Sequence, residues 1–454
     1  MRPDEPAGLA PGRVPFAEIL GHTLANITPS AMATVTVSLV AAEGGLWTWA
    51  VYLAVGLLMG LVALQVAALA RAVPAAGSLF VSIGTTLHPL AGVVSGWSML
   101  GGYLGALLAA PILAGLFLSE GLRVWGVSCP WPLPAVACAL AAWRLTLRDV
   151  EVAARASLAI EAVSLLIILA IAMVTLSRVG ASDPRQWQAA FSLGPFFRAM
   201  TLSVLAYGGF ETAANFGREG RAPRRTIPRA IIAAVVFSLG FYVFMAYAEM
   251  AGFGNDPALL ARTEAPLGVL ALRAGDPLLA VFSDLAMAIA AFSAAIATLN
   301  SLSRLLYSMG RHRVLPARLG TIGRHGTPAV ALNGLGAASC AFAGLAGALA
   351  WSPLAIVGVF GVFTALGFIV IYVLAALAVF GWRRRRGLRP SAATWAALVF
   401  AVPLLATVFG ENLWGARGAM AFSAYAFLAY VAMGIALARR SGAALIAFGP
   451  RHDD

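Results

Sequence analysis

Ala25-Asn26-Ile27-Thr28-Pro29-Ser30-Ala31-Met32-Ala33-Thr34-Val35-Thr36 lies inside an apolar run that extends from about residue 17 to 41. A run of that length crosses a bilayer as a helix. Pro29 removes an intrahelical hydrogen bond in mid-span. Backbone groups freed in lipid are tolerated only where they face protein, a cavity or a ligand. The segment therefore reads either as a Pro-kinked helix whose Ser and Thr bond back to the preceding turn, or as a broken helix lining a site. A second interruption, Leu205-Ala206-Tyr207-Gly208-Gly209-Phe210-Glu211-Thr212, tilts the reading toward a site. Each glycine of the pair weakens a helix by about 1 kcal/mol relative to Ala. Tyr207 and Phe210 flank the pair as potential covers for a bound molecule. Glu211 is an ionisable group deep in a span, which by default marks function. The competing account is close helix packing through Gly208 and Gly209, with Glu211 paired to an Arg.

Composition supports the membrane reading. Of the 454 residues, 61% are hydrophobic and 11% charged, and the mean hydropathy is +0.87; a soluble chain carries about 25% charged residues. The net charge is +12, and all basic residues are Arg. These arginines cluster between apolar spans, so they report topology and not nucleic-acid binding. With no Lys, no lysine amine can carry a proton or stand in for a bound cation. Cys129, Cys138 and Cys340 are too scattered for a disulfide framework or a metal cluster. No short apolar leader with a small-residue cleavage site is apparent, so no cleaved signal peptide is expected.

Twelve spans are read, near 17–41, 46–70, 89–118, 131–147, 152–177, 195–217, 229–252, 277–309, 328–349, 353–381, 392–410 and 417–438. The expected fold is an all-α integral membrane protein. The two interrupted spans are the first and the sixth, so each opens a block of five. The organisation predicted is a cytoplasmic tail (1–16), a first five-helix repeat (17–177), a second, inverted repeat (195–381), two further helices (392–438) and a cytoplasmic tail (439–454). Paired interruptions at matching positions of two halves point to alternating access, and residues near 28–34 and 205–211 are expected to be non-helical and to face each other near the bilayer midplane. Half-helix N-termini at the breaks would present positive dipole ends to an anion such as a carboxylate. With the N-terminus inside, 24 of the 31 arginines fall on the cytoplasmic side and 7 outside. The positive-inside rule thus puts both termini in the cytoplasm of a cell-membrane protein.

Several stretches carry a family resemblance. Gly209-Phe210-Glu211-Thr212-Ala213-Ala214, followed by Gly217-Arg218-Glu219-Gly220-Arg221-Ala222-Pro223-Arg224-Arg225-Thr226-Ile227-Pro228-Arg229-Ala230, resembles the sixth-helix signature of the amino acid–polyamine–organocation transporters. Ala72-Val73-Pro74-Ala75-Ala76-Gly77-Ser78-Leu79-Phe80 is similar to the element after that family's second helix. Arg304-Leu305-Leu306-Tyr307-Ser308-Met309-Gly310-Arg311, with Leu315-Pro316 and Gly326-Thr327-Pro328, resembles its eighth-helix exit, and the fifth span around Arg155 and Ser157 one branch's fifth helix. The resemblance runs from residue 17 to about 440. It implies a LeuT-type 5+5 fold and proton- or sodium-driven movement of an amino acid or related amine.

Carried onto this chain, the resemblance places the substrate carboxylate near the backbone N–H groups of Ser30, Ala31, Met32 and Ala33. It places the amine near the carbonyls of Ala206, Tyr207 and Gly208. Thr28, Tyr103, Gly209 and Phe210 complete the substrate-binding candidates. The chain departs from the family in having Thr28-Pro29-Ser30-Ala31 where many members carry a Gly-rich break. Arg218 replaces the first acid of the usual pair, and Ser164 stands where some proton-coupled members have a lysine.

For coupling, Glu211 is the first candidate, because burial disfavours the charged carboxylate. Glu161 is the second; it reads either as a titrating group or as a structural partner of Arg155, since a charge in mid-membrane costs about 2.5 kcal/mol or more. Ser301, with Ser293, Thr298 and Asn300, is the candidate set of cation oxygens for a sodium-driven alternative. Neither a phosphate-binding loop nor a metal-ligand spacing of histidines is present, and no enzyme activity or cofactor is expected. The expected partners are a small amino acid or amine, a proton or sodium ion, and the lipid bilayer. Exchange and a non-transporting membrane sensor are the alternative functions.

Overall fold

The computed structural model describes residues 14–72, 79–148, 150–180, 183–216, 220–323, 327–415 and 418–440. Its elements are helical throughout. In chain order they are α1 (Phe16–Ile27), α2 (Pro29–Gly44), α3 (Thr48–Ala72), α4 (Leu79–Thr86), α5 (Pro89–Val124), α6 (Pro132–Arg148), α7 (Val150–Val179), α8 (Arg185–Gln188) and α9 (Leu193–Tyr207). A 3-10 turn over Phe210–Phe216 leads to α10 (Pro223–Gly252), α11 (Pro257–Arg262), α12 (Pro266–Arg273), α13 (Pro277–Arg311), α14 (Ala329–Ala348) and α15 (Pro353–Arg385). The chain closes with α16 (Ala392–Ala396), a π turn (Ala397–Ala401), α17 (Val402–Trp414) and α18 (Ala419–Arg440). Among the described residues the sole extended pairing is an isolated bridge between Val14 and Gly220.

Among the described residues, nine helical stretches are long and apolar enough to cross a membrane, and α6 supplies a shorter apolar helix at Pro132–Leu147. The first stretch, Phe16–Ala72, runs for 57 residues through the break after Ile27. This is a membrane protein of many spans. Several expected elements lie outside the described residues: 73–78 of the element after the second span, 217–219 with Arg218, Gly326, and the tails at 1–13 and 441–454. The short helix α4 is not evident from the sequence pattern.

Burial sorts the helices. The most apolar window of α5 is 83% buried, whereas those of α7, α16–α17 and α18 are each 28% buried. Leu166, Met173, Phe400 and Phe422 point outward from these outer helices, as lipid-facing side chains do. The centre is built by α13 and α15 packing along α5, and by α10 packing along α3. Arg198 of α9 pairs with Glu43 of α2 at 2.9 Å, tying together one half of each interrupted span. The pair is a quarter to a third exposed, which limits its worth to about 1 kcal/mol or less. On the other side of the breaks, the Arg221 N–H donates to Val14 O, and His22 meets Phe216 edge-on.

Candidate substrate site at two helix breaks

The first interruption is narrower than the residues suggest. Thr28 alone leaves the helix, at φ 49° and ψ 61°, and residues 29–34 are helical. Pro29 explains why the right-handed helix stops at Thr28 and restarts at once. It disfavours the α region for the residue before it, and it is well suited to the first position of the next helix. Thr28 is held in this strained region by bonds from its N–H to Leu24 O at 2.8 Å and from its hydroxyl to Ala25 O at 2.9 Å. The expectation of an unwound segment over 28–34 is corrected to a one-residue break.

The second interruption is also shorter than the expected 205–211. The helix α9 continues through Tyr207, the chain turns at Gly208 and Gly209, and a 3-10 turn takes over at Phe210. Gly209 has φ +111°, a conformation L side chains rarely adopt. A Cβ there would lie 3.0 Å from the carbonyl carbon and oxygen of Asn26 and 3.1 Å from the nitrogen of Ile27. The two breaks therefore abut, backbone to backbone.

A cavity of about 70 Å³ opens beside this contact. Thr28, Ala31, Met32, Tyr103, Gly208 and Gly209 of the expected set line it. The rest of its wall includes the small residues Gly105, Ala106, Ala109 and Ala110 of α5 and the rings of Phe360 and Phe368 of α15, with Asn26, Thr298 and Thr364 as further polar members. Ala31 N–H, in the first turn of α2, has no hydrogen-bond partner among the described residues. Such a pocket suits a small molecule with an apolar body and one polar head.

Other expected residues lie elsewhere. Tyr207 and Phe210 are fully buried away from the cavity: the Tyr207 hydroxyl donates to Tyr52 O at 3.0 Å, and Phe210 stacks on Tyr372 at 5.0 Å. Of the carbonyls assigned to an amine, Ala206 O already accepts from the Tyr242 hydroxyl at 2.6 Å. Ser30, Ala33 and Ala206 are buried in the bundle and do not face the cavity.

The two carboxyl candidates sit on either side of the breaks. Glu211 is 1% exposed and accepts three hydrogen bonds: Tyr103 hydroxyl to Oε1 at 2.7 Å, Tyr372 hydroxyl to Oε2 at 3.1 Å, and Gly209 N–H to Oε2 at 3.1 Å. Its partners are tyrosines and an amide, not the Arg weighed from the sequence. Glu161 is 3% exposed and is held by Ser30, whose N–H donates to Oε1 at 3.0 Å and whose hydroxyl donates to Oε2 at 2.9 Å. The side chain of Arg155 lies outside the described residues. Ser301 donates to Asn26 Oδ1 at 3.2 Å, and the Asn26 amide nitrogen lies 3.1 Å from His22 Nε2. Thr298 lines the cavity, whereas Ser293 Oγ is buried without a partner among the described residues. Ser164 donates to Ala286 O at 3.2 Å.

Sequence reasoning missed Asn26, Phe368 and Tyr372. An isolated Tyr in the apolar α15 and an Asn in α1 were the available signals. Two further buried carboxyls, Glu249 and Asp284, do not line the cavity.

A sequence profile of amino acid permeases matches residues 21–438. The chain belongs to the amino acid permease family. An uncharacterized transporter of Mycobacterium tuberculosis is 30% identical over 278 residues, 59% of this chain and 61% of that protein. A branched-chain amino acid permease of Lactococcus lactis is 25% identical over 371 residues, 74% of each chain. A low-affinity putrescine importer of Escherichia coli is 24% identical over 268 residues, 56% of this chain and 57% of the importer. The match to the mycobacterial protein thus spans less than two thirds of that relative's length. The family membership meets the resemblance read from the motifs, and it is a family of transporters rather than enzymes.

Proposed function

We propose that this permease is a secondary active transporter that moves a small, largely apolar amino acid or related amine by alternating access, driven by protons. The observation that carries the reading is the abutment of the two breaks at a cavity. There the first turn of α2 offers an open amide, Ala31 N–H, to a carboxylate, and small residues of α5 receive an apolar side chain. Relatives named for branched-chain amino acids and for putrescine support the substrate class.

In this reading the chain forms twelve membrane helices: an inverted pair of five-helix repeats over 17–177 and 195–381, and two added helices over 392–438. The arginine asymmetry, 24 inside to 7 outside, supports a cell-membrane orientation with both termini cytoplasmic. Glu211 and Glu161 are the carboxyls available to carry a proton. The contact of Ser301 with Asn26 favours, as the second reading, a sodium ion near that pair.

The test is uptake of labelled amino acids and amines into proteoliposomes under an imposed pH gradient, an imposed sodium gradient, or neither. Accumulation driven by the pH gradient alone is expected. Accumulation only with sodium selects the second reading, and counterflow without net uptake makes the protein an exchanger. Binding without movement under any gradient refutes transport and leaves a sensor.

A further inference from the structure

The first turn of α2 has two amides not used by the helix itself. Pro29 has none to offer, Met32 N–H already bonds Thr28 O at 3.0 Å, and Ser30 and Ala31 remain. Ser30 N–H points to α7 and is taken by the Glu161 carboxylate. Ala31, its neighbour, faces the cavity. One positive helix end therefore has two faces, one filled by a carboxylate of the protein and one open to the site. Helix-end stabilisation of an anion is confined to the terminal turn. A second carboxylate at Ala31 would share the same partial charge with Glu161 in a buried, weakly screened setting, where like charges repel strongly.

We infer that Glu161 is a built-in rival of the substrate's carboxylate at the N-terminus of α2, so that the substrate is held tightly only when Glu161 has taken up a proton. The inference rests on the proposed substrate reading and adds the means of coupling. In the empty protein the Glu161 anion satisfies Ser30 and the helix end. When a proton from water joins Glu161, the carboxyl becomes neutral and the helix end is free for the incoming carboxylate at Ala31. One proton enters with one substrate, and the net charge at the helix end stays the same. A substrate that carries an amine and no carboxylate has no such rivalry.

The surroundings suit a group that answers to substrate alone. Tyr242 of α10 is the titratable side chain that bears on Glu161. The other elements packed against α7, namely α1, α2, α6, α12 and α13, bring no charged group to it among the described residues. Glu211, by contrast, is bound by donors from α5, α15 and its own turn. A group so fastened is suited to holding the break in shape.

The experiment uses the full chain in lipid nanodiscs and calorimetric binding of L-alanine, L-valine and L-leucine, each beside its decarboxylated amine. For the wild type, amino-acid affinity should fall by about tenfold per pH unit as the pH rises above the titration of Glu161, with about one proton taken up per molecule bound. The amines should show neither effect. Glu161→Gln should remove the proton uptake and hold amino-acid affinity at its low-pH value. Ser30→Ala, which keeps the backbone amide but removes one of Glu161's two donors, should raise amino-acid affinity at high pH and leave the amines unchanged; this arm stands even where Glu161→Gln fails to fold. Undiminished proton uptake in Glu161→Gln, or unchanged high-pH affinity in Ser30→Ala, overturns the inference. Binding of the amines but not the amino acids also overturns it, while leaving amine transport standing. Binding of none of these probes removes the substrate reading itself, and this inference with it.

Discussion

Replacing Gly209 by Ala tests the contact between the two breaks. The added Cβ would lie 3.0 to 3.1 Å from backbone atoms of Asn26 and Ile27, which cannot rotate aside as a side-chain tip can. Overpacking of this kind costs about 1 to 3 kcal/mol. The residue also sits at φ +111°, and holding a side chain in a sparsely populated backbone region costs about another 1 to 3 kcal/mol. The two penalties share one relaxation, because a shift of the turn relieves both, so they do not simply add. A loss of about 3 kcal/mol is expected, roughly a hundredfold in a folding equilibrium. Gly240→Ala is the control: a Cβ there would meet no atom within 4 Å, and the residue sits inside α10, where Ala gains about 1 kcal/mol over Gly in helix propensity. Thermal unfolding of the detergent-solubilised proteins gives the stabilities, and proteoliposome uptake gives the activity. Gly209→Ala should unfold well below the wild type and lose uptake, and Gly240→Ala should do neither. Wild-type stability and uptake in Gly209→Ala would refute the claim that the breaks touch backbone to backbone.

Glu211→Leu strands two tyrosine hydroxyls and the Gly209 amide, at about 1 to 3 kcal/mol for each buried group left unpaired, and should be markedly less stable in thermal unfolding. Glu211→Gln should stay near the wild type, because its amide oxygen can accept from Tyr372 and Gly209 while its NH₂ donates to the Tyr103 oxygen; its uptake should keep its pH dependence, and a flattened profile would move the coupling role from Glu161 to Glu211. In the loop before α8, Asp183 is held down to about pKa 2, first by the Arg185 side chain and then by the Arg185 backbone N–H. Its folded value is below the unfolded one, so its contribution is complete above about pH 4 and is lost as the pH falls toward 2; hydrogen exchange over residues 183–188 should therefore be unaffected by this group between neutral pH and about pH 4, and Asp183→Ala should speed exchange at neutral pH. Cys129, in the connection between α5 and α6, is partly exposed; with Cys138 and Cys340 changed to Ser, an impermeant maleimide should label it from outside intact cells, and labelling only after permeabilisation would invert the topology.

The breaks were legible because their chemistry is local. Pro29 lacks an N–H, and Gly208 and Gly209 form a weak point in a helix, whatever surrounds them. Their lengths were overestimated for the same reason: the Pro that ends α1 also starts α2, and sequence alone shows the stop more readily than the restart. The partners of the carboxyls were not legible. Tyr372 lies 161 positions from Glu211, and Ser30 lies 131 positions from Glu161. Such pairings follow from how helices rotate against one another, and hydropathy is a poor guide to rotation here, because the lipid and the bundle interior are both apolar. Tyr207 and Phe210 illustrate the consequence. Both stand next to the glycine pair and both read as covers for a substrate, yet Tyr207 reaches α3 and Phe210 lies flat on Tyr372. The aromatic that does line the cavity at this level, Phe368, sits on α15, and the close approach of Gly208 makes room for it: a Cβ on Gly208 would collide with the Phe368 ring. The glycine pair thus serves two separate contacts, Gly208 with a side chain that walls the site and Gly209 with the backbone of the other break. An Ala at Gly208 would press chiefly on the Phe368 ring, with the Leu205 carbonyl oxygen 3.2 Å away, whereas an Ala at Gly209 would press on backbone alone. The first substitution should therefore reshape the cavity, and the second should part the breaks.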